Sequence, residues 1–312
     1  MTNMFNVFEK KLIDYAGMFP PTQLPLDEAI RNYAAYIRTD DAWMINTFVM
    51  PFSHIDQLTP YASLYSAAYP LRLSVTLGKS ETYSATKDQL SDVRQTLQDL
   101  VTHHHDWLSV DALEIPIDTL IFEHPVLEEI WTLSQALEAE AFMEIQMIGR
   151  NDFEQHISHM LEAVKVFNDQ HDATLKVKLR TGHVDPTQVP TTAQIAYFIQ
   201  QVHHFGLAMK FTAGLHHPVR MYRDEIQDKM HGHLNVFVAA FLASQFDLPH
   251  SVIQAILDEE DVQNFTFTDE ALGWQSYVIT LEDVQHQRLT HFNSFGSCSF
   301  ITPTSELREL IQ

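Results

Sequence analysis

Apolar and polar positions along this chain fall into two alternating rhythms. Short runs with a period of two, rich in β-branched and aliphatic residues, occur at 12–17, 43–50, 71–77, 112–118, 142–147, 175–180, 208–214, 264–268 and 293–300. Between most of them lie longer stretches with apolar residues three and four apart, at 27–38, 86–102, 126–138, 153–168, 192–205, 234–245 and 270–288. The first rhythm predicts strands and the second amphipathic helices. Strand, helix, strand at this spacing predicts a parallel sheet with helices outside it. Seven or more such units in 312 residues predict an α/β fold of the closed (β/α)8, TIM-barrel type. Nine strand candidates compete for eight places, so one lies outside the barrel. The chain reads as one domain over 1–312, with a helical elaboration at about 216–290 before the last strand. Within it, the run from Leu234 to Phe246 is apolar on more than one face, which predicts burial on several sides or packing against a second copy of the chain.

In five central strands the two faces differ in the same way. Leu71, Leu73, Val75 and Leu77 oppose Arg72, Ser74 and Thr76, and Leu113, Ile115 and Ile117 oppose Glu114, Pro116 and Asp118. Met143, Ile145 and Met147 oppose Glu144 and Gln146. Val177 and Leu179 oppose Lys176, Lys178 and Arg180, and Met209 and Phe211 oppose Lys210 and Thr212. The apolar set must meet the helices, so the polar set faces the barrel axis. Most barrel interiors are filled with Val, Ile and Leu. A shaft containing Arg72, Glu114, Glu144, Lys178, Arg180 and Lys210 would cost several kcal/mol per unpaired charge. Such a cluster suits a site for a charged substrate, the alternative being a structural salt-bridge network.

Composition narrows the ligand. Nineteen basic against 41 acidic residues give a formal charge of −22, which argues against nucleic-acid and membrane-surface partners. Three of nine lysines (Lys176, Lys178 and Lys210) fall in two neighbouring strands, a local positive pocket fit for a small anionic metabolite. Gly78, Gly149, Gly182, Gly214 and Gly296 lie at or near the C-terminal ends of candidate strands, where glycine allows close approach of backbone to a ligand. The single cysteine, Cys298, excludes a disulfide framework. The opening Met-Thr-Asn-Met-Phe-Asn lacks the pattern of a secretory signal, no run reaches the ~20 apolar residues of a membrane span, and a cytoplasmic protein is expected.

Lys178-Leu179-Arg180-Thr181-Gly182 and Lys210-Phe211-Thr212-Ala213-Gly214 are parallel motifs, each running from an inward lysine to a glycine. Two ammonium groups on adjacent strands disfavour each other's protonation, which predicts a neutral amine able to attack a carbonyl. These motifs, with Leu12-Ile13-Asp14-Tyr15 ahead of Pro20-Pro21 and with Phe295-Gly296-Ser297-Cys298-Ser299, resemble the deoxyribose-phosphate aldolases, a family of class I aldolase barrels. The resemblance implies that Lys178 is the Schiff-base lysine and Lys210 its pKa-lowering neighbour. It implies that Gly214, Gly296 and Ser297 take the substrate phosphate. The family's acid-base aspartate falls on Pro116, so Glu114, Asp118 or Glu144 would replace it. The resemblance also favours Asn264–Thr268 as the strand outside the barrel.

The expected function is therefore lyase or aldolase-type chemistry on a small anionic carbonyl compound, with no cofactor. Lys178, Lys210, Glu114, Glu144 and Asp118 are the candidate catalytic residues. Arg180, Thr181, Thr212, Gly214, His216, His217, Arg220, Gly296, Ser297, Asp14 and Arg72 are the candidate substrate-binding residues. Two other readings compete. His231-Gly232-His233, with His216, His217 and a Glu, could bind a divalent transition metal in a lyase or hydrolase. A binder of an anionic metabolite without turnover would use the charges for recognition alone.

Overall fold

A computed structural model describes residues 3–224 and 226–310; Met1 and Thr2 of the opening hexapeptide lie outside them. Helix α1 (Met4–Glu9) precedes strand β1 (Ile13–Tyr15) and helix α2 (Leu26–Tyr36) follows it. Then come β2 (Ile45–Pro51), β3 (Leu71–Thr76), α3 (Tyr83–His104), β4 (Leu108–Ile117), α4 (Val126–Leu137), β5 (Glu140–Ile145) and α5 (Phe153–His171). Strand β6 (Lys176–Arg180), α6 (Thr192–Phe205) and β7 (Met209–Thr212) continue the alternation. A hairpin of β8 (Met221–Arg223) and β9 (Asp228–Met230) leads into α7 (His233–Phe246) and α8 (His250–Asp258). An antiparallel meander of β10 (Phe265–Phe267), β11 (Ala271–Trp274) and β12 (Tyr277–Thr280) leads to α9 (Leu281–Thr290), β13 (Phe292–Ser297) and α10 (Ile301–Leu310).

Strands β1 to β7 and β13 close into an eight-stranded parallel barrel, with β13 between β7 and β1. The protein is thus a (β/α)8 barrel. Lys178 and Lys210 lie opposite each other on the sixth and seventh strands. The alternation of faces holds: Leu73, Val75, Leu113, Met143, Val177, Leu179, Met209 and Phe211 are buried beneath the helices, part of one continuous apolar core. Segment 264–268 lies outside the barrel in the meander, as expected.

Two features depart from the regular alternation. Between β2 and β3 two 3-10 turns, Phe52–Gln57 and Thr59–Leu64, stand where an α-helix is usual. The elaboration is mixed rather than helical: the helix expected over 270–288 begins only at Leu281, behind the Thr280/Asp283 capping box. Residues 271–280 form instead a hairpin turning at Gln275-Ser276, where Gln275 takes φ +50°, without the Asn-Gly signal that makes such turns readable. Helix α7 is apolar all round because its own chain surrounds it. Eleven consecutive residues, His233–Ala243, are buried, and α6, α8, α9, the meander and β13 all pack on it. A second subunit is not needed to cover that surface. Among the described residues no helix is long and apolar enough to cross a membrane.

Candidate active site at the barrel mouth

Inward-pointing charges form a chain that alternates in sign from the buried centre to the open C-terminal end. Asp14 from β1 lies fully buried, with Oδ2 2.6 Å from the Lys210 ammonium. Lys210 Nζ also donates to Glu114 Oε1 at 2.8 Å. The other Glu114 oxygen lies 2.5 Å from Lys178 Nζ, which in turn lies 2.5 Å from Glu144 Oε2. Arg180 Nε donates to Glu144 Oε1 at 3.0 Å. Exposure rises along the chain, from 3% for the Glu114 side chain through 19% for Glu144 to 45% for Arg180.

Hydroxyls and an amide complete the buried end. Asp14 accepts from Thr47 Oγ1 at 2.6 Å, Asn46 Nδ2 at 2.8 Å and Ser294 Oγ at 2.5 Å, and Glu114 accepts from Ser74 Oγ at 2.7 Å. Lys210 also lies 5.1 Å from the centre of the Phe142 ring, a cation–π contact. Burial alone would raise the Glu114 pKa, but Lys178 and Lys210 outweigh it and hold this carboxylate far below the usual range. Burial opposes the charge of Lys210, yet Asp14 and Glu114 push its pKa above the ordinary lysine range. Glu144 is lowered in the same way, burial being overcome by Lys178 and Arg180.

A cavity of about 320 Å³ opens above this chain. Lys178, Glu114, Glu144 and Arg180 form its charged side, and Thr212, Gly214, His216, His217 and Gly296 line it as well. Nine of the residues expected at the site therefore meet there. The hairpin β8–β9 contributes Arg223 and Met230, the intervening turn Ile226, and the loop after β6 His183 and Val184. His216 Nδ1 lies 3.5 Å from Cys298 Sγ, another lining residue whose thiol is pushed up by burial. His217 Nδ1 is 2.6 Å from Glu306 of α10. The backbone after β7 takes two positive φ angles in succession, +66° at Ala213, which is strained for a residue with a Cβ, and +78° at Gly214, which glycine adopts freely. The Thr181 hydroxyl holds it there, donating to the carbonyls of Thr212 and Ala213 at 3.1 and 2.6 Å.

Several expectations are corrected. Mutual repulsion does not neutralise Lys210, because Glu114 lies between the two lysines and Asp14 pairs with Lys210 from the other side. Lys210 and Asp14 lie beneath the cavity rather than in its lining; Lys210 lines a second cavity of about 310 Å³ at the opposite end of the barrel. Arg72 also belongs to that far end, paired with Asp111 at 2.5 Å. Asp118 caps the turn after β4 by accepting from Leu120 N at 3.0 Å. Thr181 supports backbone, and Ser297 is buried behind the wall with its hydroxyl 3.5 Å from His216. Arg220 is outside the cavity, 3.1 Å from His231 Nδ1.

The metal alternative has no convergent ligand set. His231 Nε2 meets the Pro190 carbonyl at 2.9 Å, with the Arg220 guanidinium on its other nitrogen. His233 stacks on Phe295 with ring centres 5.0 Å apart. Among the described residues no group of three or more His, Cys, Asp or Glu could hold a metal ion.

No family model and no curated protein matches the sequence. Among solved structures the fold is similar to that of a "putative alpha-L-fucosidase" from Bacteroides thetaiotaomicron, at 10% identity over 67% of this chain and 74% of that chain, with a TM-score of 0.42. Likeness at this level bears on no residue of the site.

Proposed function

We propose that the protein is an enzyme forming a Schiff base between Lys178 and the carbonyl of a small anionic compound, in lyase or aldolase-type chemistry. The observation that carries this reading is the position of Lys178. Its ammonium is nearly buried at the floor of the cavity, on the sixth barrel strand, between two carboxylates at 2.5 Å each.

The two carboxylates have different tasks. Glu114 stays ionised because two lysines hold it, so it serves as a fixed negative charge. An iminium carries the same positive charge as the ammonium it replaces, and Glu114 stabilises it equally well. Glu144 faces the cavity and is within reach of Lys178 Nζ and of solvent. It takes the proton that Lys178 must lose before its lone pair attacks the carbonyl carbon. It returns that proton to the carbinolamine hydroxyl, which leaves as water and yields the iminium. Cleavage of the bond between the carbons α and β to the iminium sends its electron pair into the iminium to give an enamine, while Glu144, again a carboxylate, takes the proton of the β-hydroxyl and the β-carbon leaves as an aldehyde. Lys210 acts as a positioning residue, neutralising Asp14 and one side of Glu114. Arg180 and Arg223 at the cavity wall suit the substrate anion.

Borohydride added with pyruvate or dihydroxyacetone phosphate tests the proposal. Intact-mass measurement should show one adduct on the native chain and none on Lys178→Met. Equal labelling of the two chains would refute it.

A further inference from the structure

Resting on the Schiff-base reading, we infer that the substrate is an apolar-chain 2-oxo acid, a carboxylate with a branched aliphatic or aromatic tail, rather than a phosphorylated sugar. Three observations point this way.

The first is the wall above the charged floor. Phe19, Pro20, Val49, Leu77, Val184 and Ile226 line it. None of these six side chains offers a hydrogen bond, so a hydroxyl set against them, rather than against Thr76, Thr212, His183, His216 or His217, which also line the cavity, finds no side-chain partner. A hydrocarbon tail loses nothing there and gains from leaving water.

The second is Met230. Open backbone amides at glycine-rich strand ends are the usual seat of a phosphate. Gly182 and Gly214 stand at such ends, after β6 and β7, but the Met230 methyl lies over both, so that a Cβ on either glycine would collide with it. The two glycines also touch, since a Cβ on Gly182 would come within 2.8 Å of Gly214 Cα. Their smallness thus serves close strand packing, and the Met230 methyl is the side-chain atom that sits against both.

The third is charge. Lys178 and Arg180 face two carboxylates, Glu114 and Glu144, around the cavity, so these four carry no surplus of positive charge to neutralise a phosphate dianion. The planar Arg180 guanidinium, which already meets the Glu144 carboxylate, has the shape to meet a substrate carboxylate.

The test compares two ketones on the full-length protein. Cyanoborohydride trapping is followed by intact mass with 4-methyl-2-oxopentanoate or dihydroxyacetone phosphate at equal concentration, the rate on Lys178→Met being subtracted. The oxo acid should label at least tenfold faster. Equal or faster labelling by dihydroxyacetone phosphate would overturn the substrate class and leave the Schiff base standing. Labelling by neither would remove the Schiff base, and calorimetry then decides the class alone. There 4-methylpentanoate, which has no carbonyl to trap, should bind at least tenfold tighter than glycerol 3-phosphate; the reverse order would overturn the inference. Met230→Gly uncovers the glycine seat and should shrink the calorimetric ratio several-fold, whereas an unchanged ratio would remove Met230 from the account.

Discussion

Two regions of this molecule keep ionisable groups away from water. In the barrel shaft Asp14, Lys210, Glu114, Lys178 and Glu144 alternate in sign, and each meets an opposite charge within 2.8 Å. In the shell around α7 the order is missing. Glu9 Oε1, both ring nitrogens of His233, both polar atoms of the Gln287 amide and Arg288 Nε are buried without a hydrogen-bond partner. Burial pushes the Glu9 pKa up to about 8, against Arg288 and Arg308, and drives His233 down to about 3. Pairing in the shaft keeps Glu114, Glu144 and Lys210 charged, while burial in the shell holds Glu9 and His233 toward neutrality. A paired chain of charges that ends in a cavity is organised for chemistry; unpaired polar burial only lowers stability.

The comparison breaks most severely at Lys210. Lys210→Met leaves Asp14 and Glu114 buried without their shared cation, and should cost about 3–5 kcal/mol in urea unfolding. Adding Asp14→Asn and Glu114→Gln should restore part of the loss. If Lys210→Met alone changed stability by less than about 1 kcal/mol, the shaft would not be a coupled network.

The shell predicts pH dependence of opposite sign at two residues. His233 has a folded pKa below its unfolded value of about 6.5. Its contribution is complete above that value and is lost as pH falls toward about 3. His231, lowered to about 4 by burial and Arg220, acts the same way. His233→Phe keeps the stack on Phe295 and removes the ring nitrogens. It should therefore gain roughly 2–3 kcal/mol over the native chain at pH 4.5, and parallel pH profiles would contradict the assignment. Glu9 has a folded pKa above its unfolded value. Its contribution is complete below about pH 4 and is lost as pH rises toward about 8. Glu9→Gln should exceed native stability by at least about 1 kcal/mol at pH 8, read from the unfolding midpoint; a less stable variant would mean that Glu9 is held as an anion by Arg288.

The smallest effect sharpens the account of the shaft. Ser74→Ala removes one hydrogen bond from Glu114 while both lysines stay paired, at a cost of about 1 kcal/mol. The rate of carbonyl trapping should not change, and a large loss of trapping would give Ser74 a role this account lacks.

Side-chain parity was enough to read the barrel and most of the shaft. Each of the five strands from β3 to β7 separates its two faces, and Lys178 and Lys210 stand in register. Parity tells which face a residue shares, but it does not tell height along the axis. Arg72 lies on the same face as Thr76, four residues away, which at about 3.3 Å per residue puts it near the opposite end of the barrel, on Asp111. Asp118 errs in the other direction, just past the strand end, where the turn uses it as a cap. The position of Glu114 between the lysines comes from β4, 96 residues from Lys210, and no local pattern announces it. Arg223 and Met230 were missed because their strands have three residues each and carry no turn signature; only the folded hairpin brings them over the mouth.

Peptide mapping after reductive trapping tests the central claim most directly. With 4-methyl-2-oxopentanoate and borohydride, the native chain should carry the reduced adduct on Lys178 alone, with Lys210 unmodified because Asp14 and Glu114 hold its ammonium. An adduct on Lys210, or one spread over the exposed lysines with Lys178 untouched, would contradict it.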